Sequence, residues 1–285
     1  MTETIHVPDD VDAGARVQAP DVPRKAEPHH SRTTGPLPAV EAVLLDLDGT
    51  LLDIDFRSFM NDYVTRLAAR FADCIEPQLF RRQLFLSTRA MIFNTEPGRT
   101  TLEAFLDDFG AVLPLPDDSM ARFEDFYATE FPRLGRWGRP LAGGRELIQA
   151  ALNRGLKAVV ATAPFFPEQA IRERLRWAGV ADLPFALITS SDTMTRSKPF
   201  PEFYLEIAKR IGVAPEACLM VGDEALMDGS AARAGMQVAL VGPDKPSFSG
   251  PWLDGTPLAD APVPDAPRWP DLPALHRHLV EQGIL

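Results

Sequence analysis

The chain has 285 residues, of which 45% are hydrophobic and 24% charged, a balance that supports one large or two modest globular domains. Its 29 basic and 40 acidic residues leave a net charge of −11, which repels a nucleic-acid backbone, and no basic run offsets it, so nucleic acid is excluded as a partner. With only Cys74 and Cys218, neither a disulfide framework nor a CxxC metal knuckle can be built, and a reducing cytoplasm is the expected compartment.

The opening stretch MTETIHVPDDVD carries acids where a signal peptide needs a basic start and an apolar core, and no apolar run reaches the roughly 18 residues of a membrane span. No membrane contact is expected. Residues 1–38 hold six prolines and few large apolar side chains, so they read as a disordered Pro-rich tail. The His29-His30 pair within it lacks a third ligand and reads as solvated.

From Ala39 short apolar runs alternate with amphipathic segments. Strands are expected at AVLLDL (42–47), LKAVVAT (156–162), FALITS (185–190), CLMVGD (218–223) and QVALVG (237–242), each continuously apolar as strands covered on both faces should be. PEQAIRERLRWAG (167–179) and PEFYLEIAKRIG (201–212) read as crossover helices, with Pro near the start and Gly at the end. The expected fold is α/β: a Rossmann-like, five-stranded parallel sheet with helices on both faces.

About a hundred residues separate the first two strands, far more than one crossover needs. Residues 56–134 carry apolar residues at three- and four-residue spacing and predict four helices, over 56–73, 76–94, 100–110 and 119–131. An all-α cap is therefore inserted after the first strand, and Phe71, Phe80, Phe85 and Phe93 are expected in its core. The α/β core takes residues 39–55 and 135–243, and residues 244–285 form a Pro-rich extension with a short terminal helix.

Ligands of such sheets bind beyond the carboxyl ends of the strands, where Asp46 and Asp48 close the first strand. Two carboxylates there repel, and Asp223, Glu224 and Asp228 follow the fourth strand, so a cation is expected among them; an oxygen-only donor set suits Mg²⁺ better than zinc. Thr162 ends the second strand and Lys198 follows the third. Gly49 permits close backbone approach, and Thr50 is placed to donate to Asp48. All five histidines lie outside residues 40–243, so no Ser-His-Asp or Cys-His chemistry can be assembled within them.

In order and placement, Asp46-Leu47-Asp48-Gly49-Thr50, Thr162, Lys198-Pro199 and Gly222-Asp223 with Asp228 resemble the four signatures of haloacid dehalogenase superfamily hydrolases, phosphoglycolate phosphatase-like, with a helical cap after the first strand. The resemblance implies a phosphatase acting on a small phosphorylated metabolite, with Asp46 as nucleophile and Asp48 as general acid and then base. It further implies that Thr162, Ala163 and Lys198 hold the phosphoryl group. Asp46, the carbonyl of Asp48 and Asp223 would ligate Mg²⁺, with Asp228 and Thr50 in support.

Many relatives carry Asn or Ser where Ala163 offers only its backbone, and Pro164 has no amide, so the phosphate site is expected to be lean. Two readings stay open for Asp228, an N-cap of the following segment or support of the site, and two for Glu224, a supporting acid or an exposed one. Substrate choice is assigned to the region of Phe56, Arg57, Arg89 and Arg99, with the two later arginines read as either anion ligands or solvated side chains. A phosphomutase and a non-catalytic binding module remain as rival functions; dehalogenation needs neither the second aspartate nor a metal.

Overall fold

A computed structural model describes residues 39–243 and 265–285. The proposed tail with its His29-His30 pair, and residues 244–264 of the extension, lie outside the described residues.

The apolar run Ala42–Leu45 forms the first strand, β1, with every side chain buried. Alternation along the strand sends Val43 and Leu45 into one apolar layer and Ala42 and Leu44 into the other, which is why the run is apolar throughout rather than at every second residue. A short strand, β2 (Leu52–Ile54), follows, and pairs antiparallel with β3 (Gly138–Pro140). The sheet is completed by β4 (Lys157–Val160), β5 (Leu187–Ile188), β6 (Cys218–Gly222), β7 (Gln237–Val241) and β8 (Arg268–Trp269). Its order is β5-β4-β1-β6-β7-β8, parallel at every pairing. The five expected strands are all present, and the C-terminal extension contributes a sixth at the edge.

Between β2 and β3 lie the four helices of the insertion, α1 (Phe56–Ala69), α2 (Pro77–Ile92), α3 (Thr101–Val112) and α4 (Ser119–Thr129). Three of the four starts have a side-chain cap. The Asp55 side chain accepts the Ser58 N–H at 3.1 Å ahead of α1, and Glu76 accepts the Leu79 N–H at 2.9 Å ahead of α2, whose first residue is Pro77. Thr100 and Glu103 close a reciprocal capping box at α3. Phe71 stacks on Phe80 at 4.9 Å and Phe80 meets Phe109 edge-on at 5.1 Å, all three fully buried, each contributing about 1.5–3 kcal/mol of burial energy. Phe71 and Phe80 thus hold the expected core, whereas Phe93 leans on Phe200 and Phe85 lines a cavity.

In the α/β part, α5 (Gly144–Asn153), α6 (Glu168–Trp177) and α8 (Leu272–Glu281) pack Leu147, Ile148, Ile171, Leu175, Leu272 and Leu275 with the layer of Val43 and Leu45. On the opposite face α7 (Pro201–Ile211) supplies Phe203, Tyr204 and Ile207, and ends on Gly212 at φ +65°, the left-handed C-cap that glycine adopts without strain. The pairing of β2 with β3, Leu52 opposite Pro140 and Ile54 opposite Gly138, makes the insertion leave and re-enter the core at one place. Thr101 secures it a second time, its hydroxyl donating to the Pro164 carbonyl at 2.9 Å.

Candidate active site

Register gathers the site. Leu45 lies level with Val160 on one side and Val221 on the other, so the residues that follow in each strand emerge together at the carboxyl edge: Asp46, Thr162 and Asp223. The Asp46 N–H donates to the Val221 carbonyl at 2.9 Å and the Ala161 N–H to the Leu45 carbonyl at 2.7 Å, which carries the ladder to the edge. Two glycines are dictated by close approach. Gly49 has φ +79°, and a Cβ there would lie 2.1 Å from Asp223 Oδ2; a Cβ on Gly222 would lie 2.1 Å from Asp228 Cγ.

Lys198, joined to Pro199 by a cis peptide bond, is fully buried and reaches into this cluster, its Nζ donating to Asp46 Oδ1 at 2.7 Å and to Asp228 Oδ1 at 2.5 Å. The other Asp228 oxygen accepts the N–H groups of Asp223 and Glu224, each at 3.0 Å. Asp228 precedes the 3₁₀ turn Gly229–Ala234 but its side chain does not cap it, so of the two readings the structure realises support of the acid loop. Burial pushes the Asp46 carboxyl well above the usual carboxylate range; Lys198 opposes this, while the charges of Asp228 and Asp223 add to it. Burial works against the Lys198 charge too, but Asp228 and Asp46 outweigh it and hold the ammonium above its ordinary value. Carboxylate oxygens of Asp46, Asp223 and Asp228 all lie within 4.8 Å of one another. Three buried carboxylates against one ammonium leave excess negative charge in a site out of bulk water, and the all-oxygen donors suit a hard divalent cation such as Mg²⁺.

Asp48 departs from its expected partner. Thr50 is buried and its hydroxyl has no hydrogen-bond partner, so it does not hold Asp48. That work falls to Arg174 of α6, whose guanidinium donates to Asp48 Oδ2 and leaves the buried Oδ1 unpartnered. The guanidinium carbon lies over the rings of Phe59, 5.6 Å from the centroid, and Phe166, at 5.1 Å. Asp46, Asp48, Thr162, Ala163, Lys198, Asp223, Glu224 and Asp228 all border one cavity of about 640 Å³, which runs on between the helices of the insertion.

The sequence of residues 40–235 matches the family model of haloacid dehalogenase-like hydrolases. The chain belongs to that family. As such a hydrolase it is 28% identical over 210 residues to phosphonoacetaldehyde hydrolase of Bordetella pertussis, covering 73% of this chain and 74% of the relative. It is 30% identical over 203 residues to phosphoglycolate phosphatase of Xylella fastidiosa (70% and 78%), and 29% identical over 205 residues to N-acetylmuramic acid 6-phosphate phosphatase of Pseudomonas aeruginosa (71% and 81%). Among solved structures, CbbY of Rhodobacter sphaeroides in complex with phosphate shares the fold at TM-score 0.51 and 20% identity, over 83% of this chain and 96% of that one.

The protein is thus a haloacid dehalogenase-like phosphohydrolase with a helical cap. Among the described residues no helix is long and apolar enough to cross a membrane. Of the four side chains assigned to substrate choice, Phe56 borders the cavity; Arg57, Arg89 and Arg99 do not, and Arg99 pairs with Glu96 and Asp107 instead. Sequence reading missed Arg174. Its signal was there: Ala170, Ile171, Arg174, Leu175 and Ala178 form the buried stripe of α6 and its C-cap, and a cation on such a stripe calls for a buried partner.

Proposed function

We propose that the protein is a Mg²⁺-dependent phosphatase of the cytoplasm that hydrolyses a small phosphomonoester through an aspartyl-phosphate on Asp46. The observation that carries this reading is the buried Lys198 ammonium 2.7 Å from an Asp46 oxygen at the open edge of the sheet. A carboxylate attacking an anionic ester is repelled by it, and a fixed cation beside both lowers that cost.

In the first step an Asp46 oxygen attacks phosphorus and the bond from phosphorus to the ester oxygen breaks. Asp48, oriented by Arg174 through Oδ2, acts as general acid to the departing alkoxide. Lys198, the Thr162 hydroxyl and the backbone at Ala163 hold the transferring oxygens. In the second step Asp48 takes a proton from water as it attacks phosphorus, which releases phosphate and regenerates Asp46. Asp46, the Asp48 carbonyl and Asp223 would hold Mg²⁺, with Asp228 fixing the loop behind them. When bound, the ion neutralises charge on the phosphoryl oxygens.

An ester fits these residues better than the phosphonate that the Bordetella relative is named for. Breaking a bond from phosphorus to the carbon beside an aldehyde leaves a carbanion, which a lysine imine can stabilise. No lysine occurs between Lys25 and Lys157, so the insertion has none, and Lys198 is engaged by two carboxylates. Phosphate release from p-nitrophenyl phosphate tests the reading: chelation with EDTA should abolish it and added Mg²⁺ restore it. Full activity in metal-free buffer would overturn the mechanism.

A further inference from the structure

The cavity beyond the acid cluster has a chemistry of its own. Away from Asp46 and Lys198 its wall is built by Phe56, Met60, Leu84, Phe85, Leu106 and Phe123, from three different segments of the insertion and the helix that closes it. Among the described residues its only cations are Lys198 and Arg174, and both are committed: Lys198 to Asp46 and Asp228, Arg174 to Asp48. Every other ionisable side chain on the wall is an acid or a tyrosine, including Asp53, Glu124 and Asp192. A carboxylate or second phosphate on the substrate would meet apolar surface and like charge, with no uncommitted cation to receive it.

The polar feature deep in the insertion is neutral. Tyr63 and Tyr127 join their hydroxyls at 2.9 Å; burial pushes the Tyr63 phenol up to about 12 and raises Tyr127 as well, so both stay protonated at neutral pH. Such a pair offers a ligand one neutral hydrogen-bonding position and no positive charge to balance an anion. The volume, about 640 Å³, falls in the range that takes drug-sized organic molecules and far exceeds a two-carbon acid.

We infer that the substrate is the phosphate monoester of an apolar alcohol, aryl or medium-chain alkyl, with its phosphate at Asp46 and its hydrocarbon body in the cavity of the insertion; this rests on the phosphatase reading above. The continuity of the apolar wall with the acid cluster assigns the occupant, because whatever fills the cavity must share it with the group held at Asp46 and Lys198. A sugar bisphosphate, which a mutase would need, finds among the described residues no second uncommitted cation on the wall for its other phosphate. The inference thus separates this chain from its mutase-like alternatives by the wall rather than by the catalytic residues.

The test uses the full chain with Mg²⁺ and compares kcat/KM for ethyl, butyl, hexyl and octyl phosphate with phosphoglycolate and glycerol 3-phosphate. Burial of each added methylene should raise kcat/KM about fourfold until the cavity is full, and both polar esters should fall below butyl phosphate. A flat alkyl series, or a preference for phosphoglycolate, would overturn the inference while leaving the phosphatase reading intact. Failure to release phosphate even from p-nitrophenyl phosphate would overturn both. A second arm uses Met120→Lys, which puts a cation on the wall at a half-exposed position where folding should survive, as a melting curve will check. The ratio of kcat/KM for hexyl phosphate over phosphoglycolate should fall at least tenfold in this variant, and an unchanged ratio would count against the assigned occupant.

Discussion

Replacing Arg174 by Met separates the positioning of Asp48 from the stability of the core. Arg174 is 1% exposed and the Asp48 side chain 27%, so the two ends of the pair respond differently. Loss of one partner from a fully buried pair costs about 3–5 kcal/mol, but water can reach Asp48, which moves its share toward the ~1 kcal/mol of an exposed pair. The ring faces of Phe59 and Phe166 lose a cation worth about 0.5–2 kcal/mol each, and removing a buried guanidinium with an unpartnered Nε offsets part of that. The net expectation is a loss of about 1–3 kcal/mol, read from the midpoint of urea unfolding at unchanged slope. Catalysis should fall unevenly. An alkyl phosphate needs the Asp48 proton and should lose about 10²-fold in kcat, within the range of general acid catalysis, whereas the first step with p-nitrophenyl phosphate should change about threefold or less. Arg174→Lys keeps the charge but not the planar fork and should fall between. An equal loss with both leaving groups, or none, would refute the role given to Arg174.

Asp228→Ala removes the carboxylate shared by Lys198 and two backbone N–H groups, and should cost about 3–5 kcal/mol in chemical denaturation; Asp228→Asn keeps an acceptor for those N–H groups and should cost less. Gly49→Ala forces a Cβ to 2.1 Å of an Asp223 oxygen at a positive φ, so the Mg²⁺ concentration for half-maximal activity should rise at least tenfold; an unchanged requirement would show that Asp223 lies outside the metal site. Burial pushes the Cys218 thiol up to about 11, so at pH 8 it holds almost no thiolate, while Cys74 is exposed; a thiol reagent should modify one cysteine in the native chain and the second only on unfolding.

The carboxyl edge was legible because Asp46, Thr162 and Asp223 each sit at the end of an apolar run, and a parallel sheet brings such ends together whatever the rest of the chain does, whereas Lys198 and Asp228 reach it from loops further on. The helices of the insertion were legible from their period, apolar residues recurring at three and four, although α1 ends at Ala69 rather than at residue 73; the meeting of Phe71, Phe80 and Phe109, from three different segments, is tertiary packing that the period does not give. Short pairings were not. β2 and β3 have three residues each, with Asp53, Arg139 and Pro140 among them, and β8 is only Arg268–Trp269; no alternation develops over so few positions, and partners far along the chain create these strands. Thr50 was misread because adjacency in sequence suggested a bond to Asp48, whereas the partner came from 126 residues away on α6. The cavity wall was not legible. Of the two readings open for Arg99, anion ligand or solvated side chain, its pairing with Glu96 and Asp107 excludes the first, and the wall is set by which apolar residues the helical core leaves uncovered.

The central claim is that Asp46 becomes phosphorylated, and trapping tests it most directly. Asp48→Asn keeps the nucleophile and the backbone carbonyl but removes the base for water, so after mixing with p-nitrophenyl phosphate and Mg²⁺ it should release a burst of aryl alcohol close to one equivalent of enzyme. Acid quenching and peptide mass analysis should then place the phosphoryl group within VLLDLDGTLL, on Asp46, in a linkage labile to hydroxylamine. The same experiment with Asp46→Asn should give neither burst nor adduct. Turnover by Asp46→Asn, or an adduct on any other residue, would contradict the account.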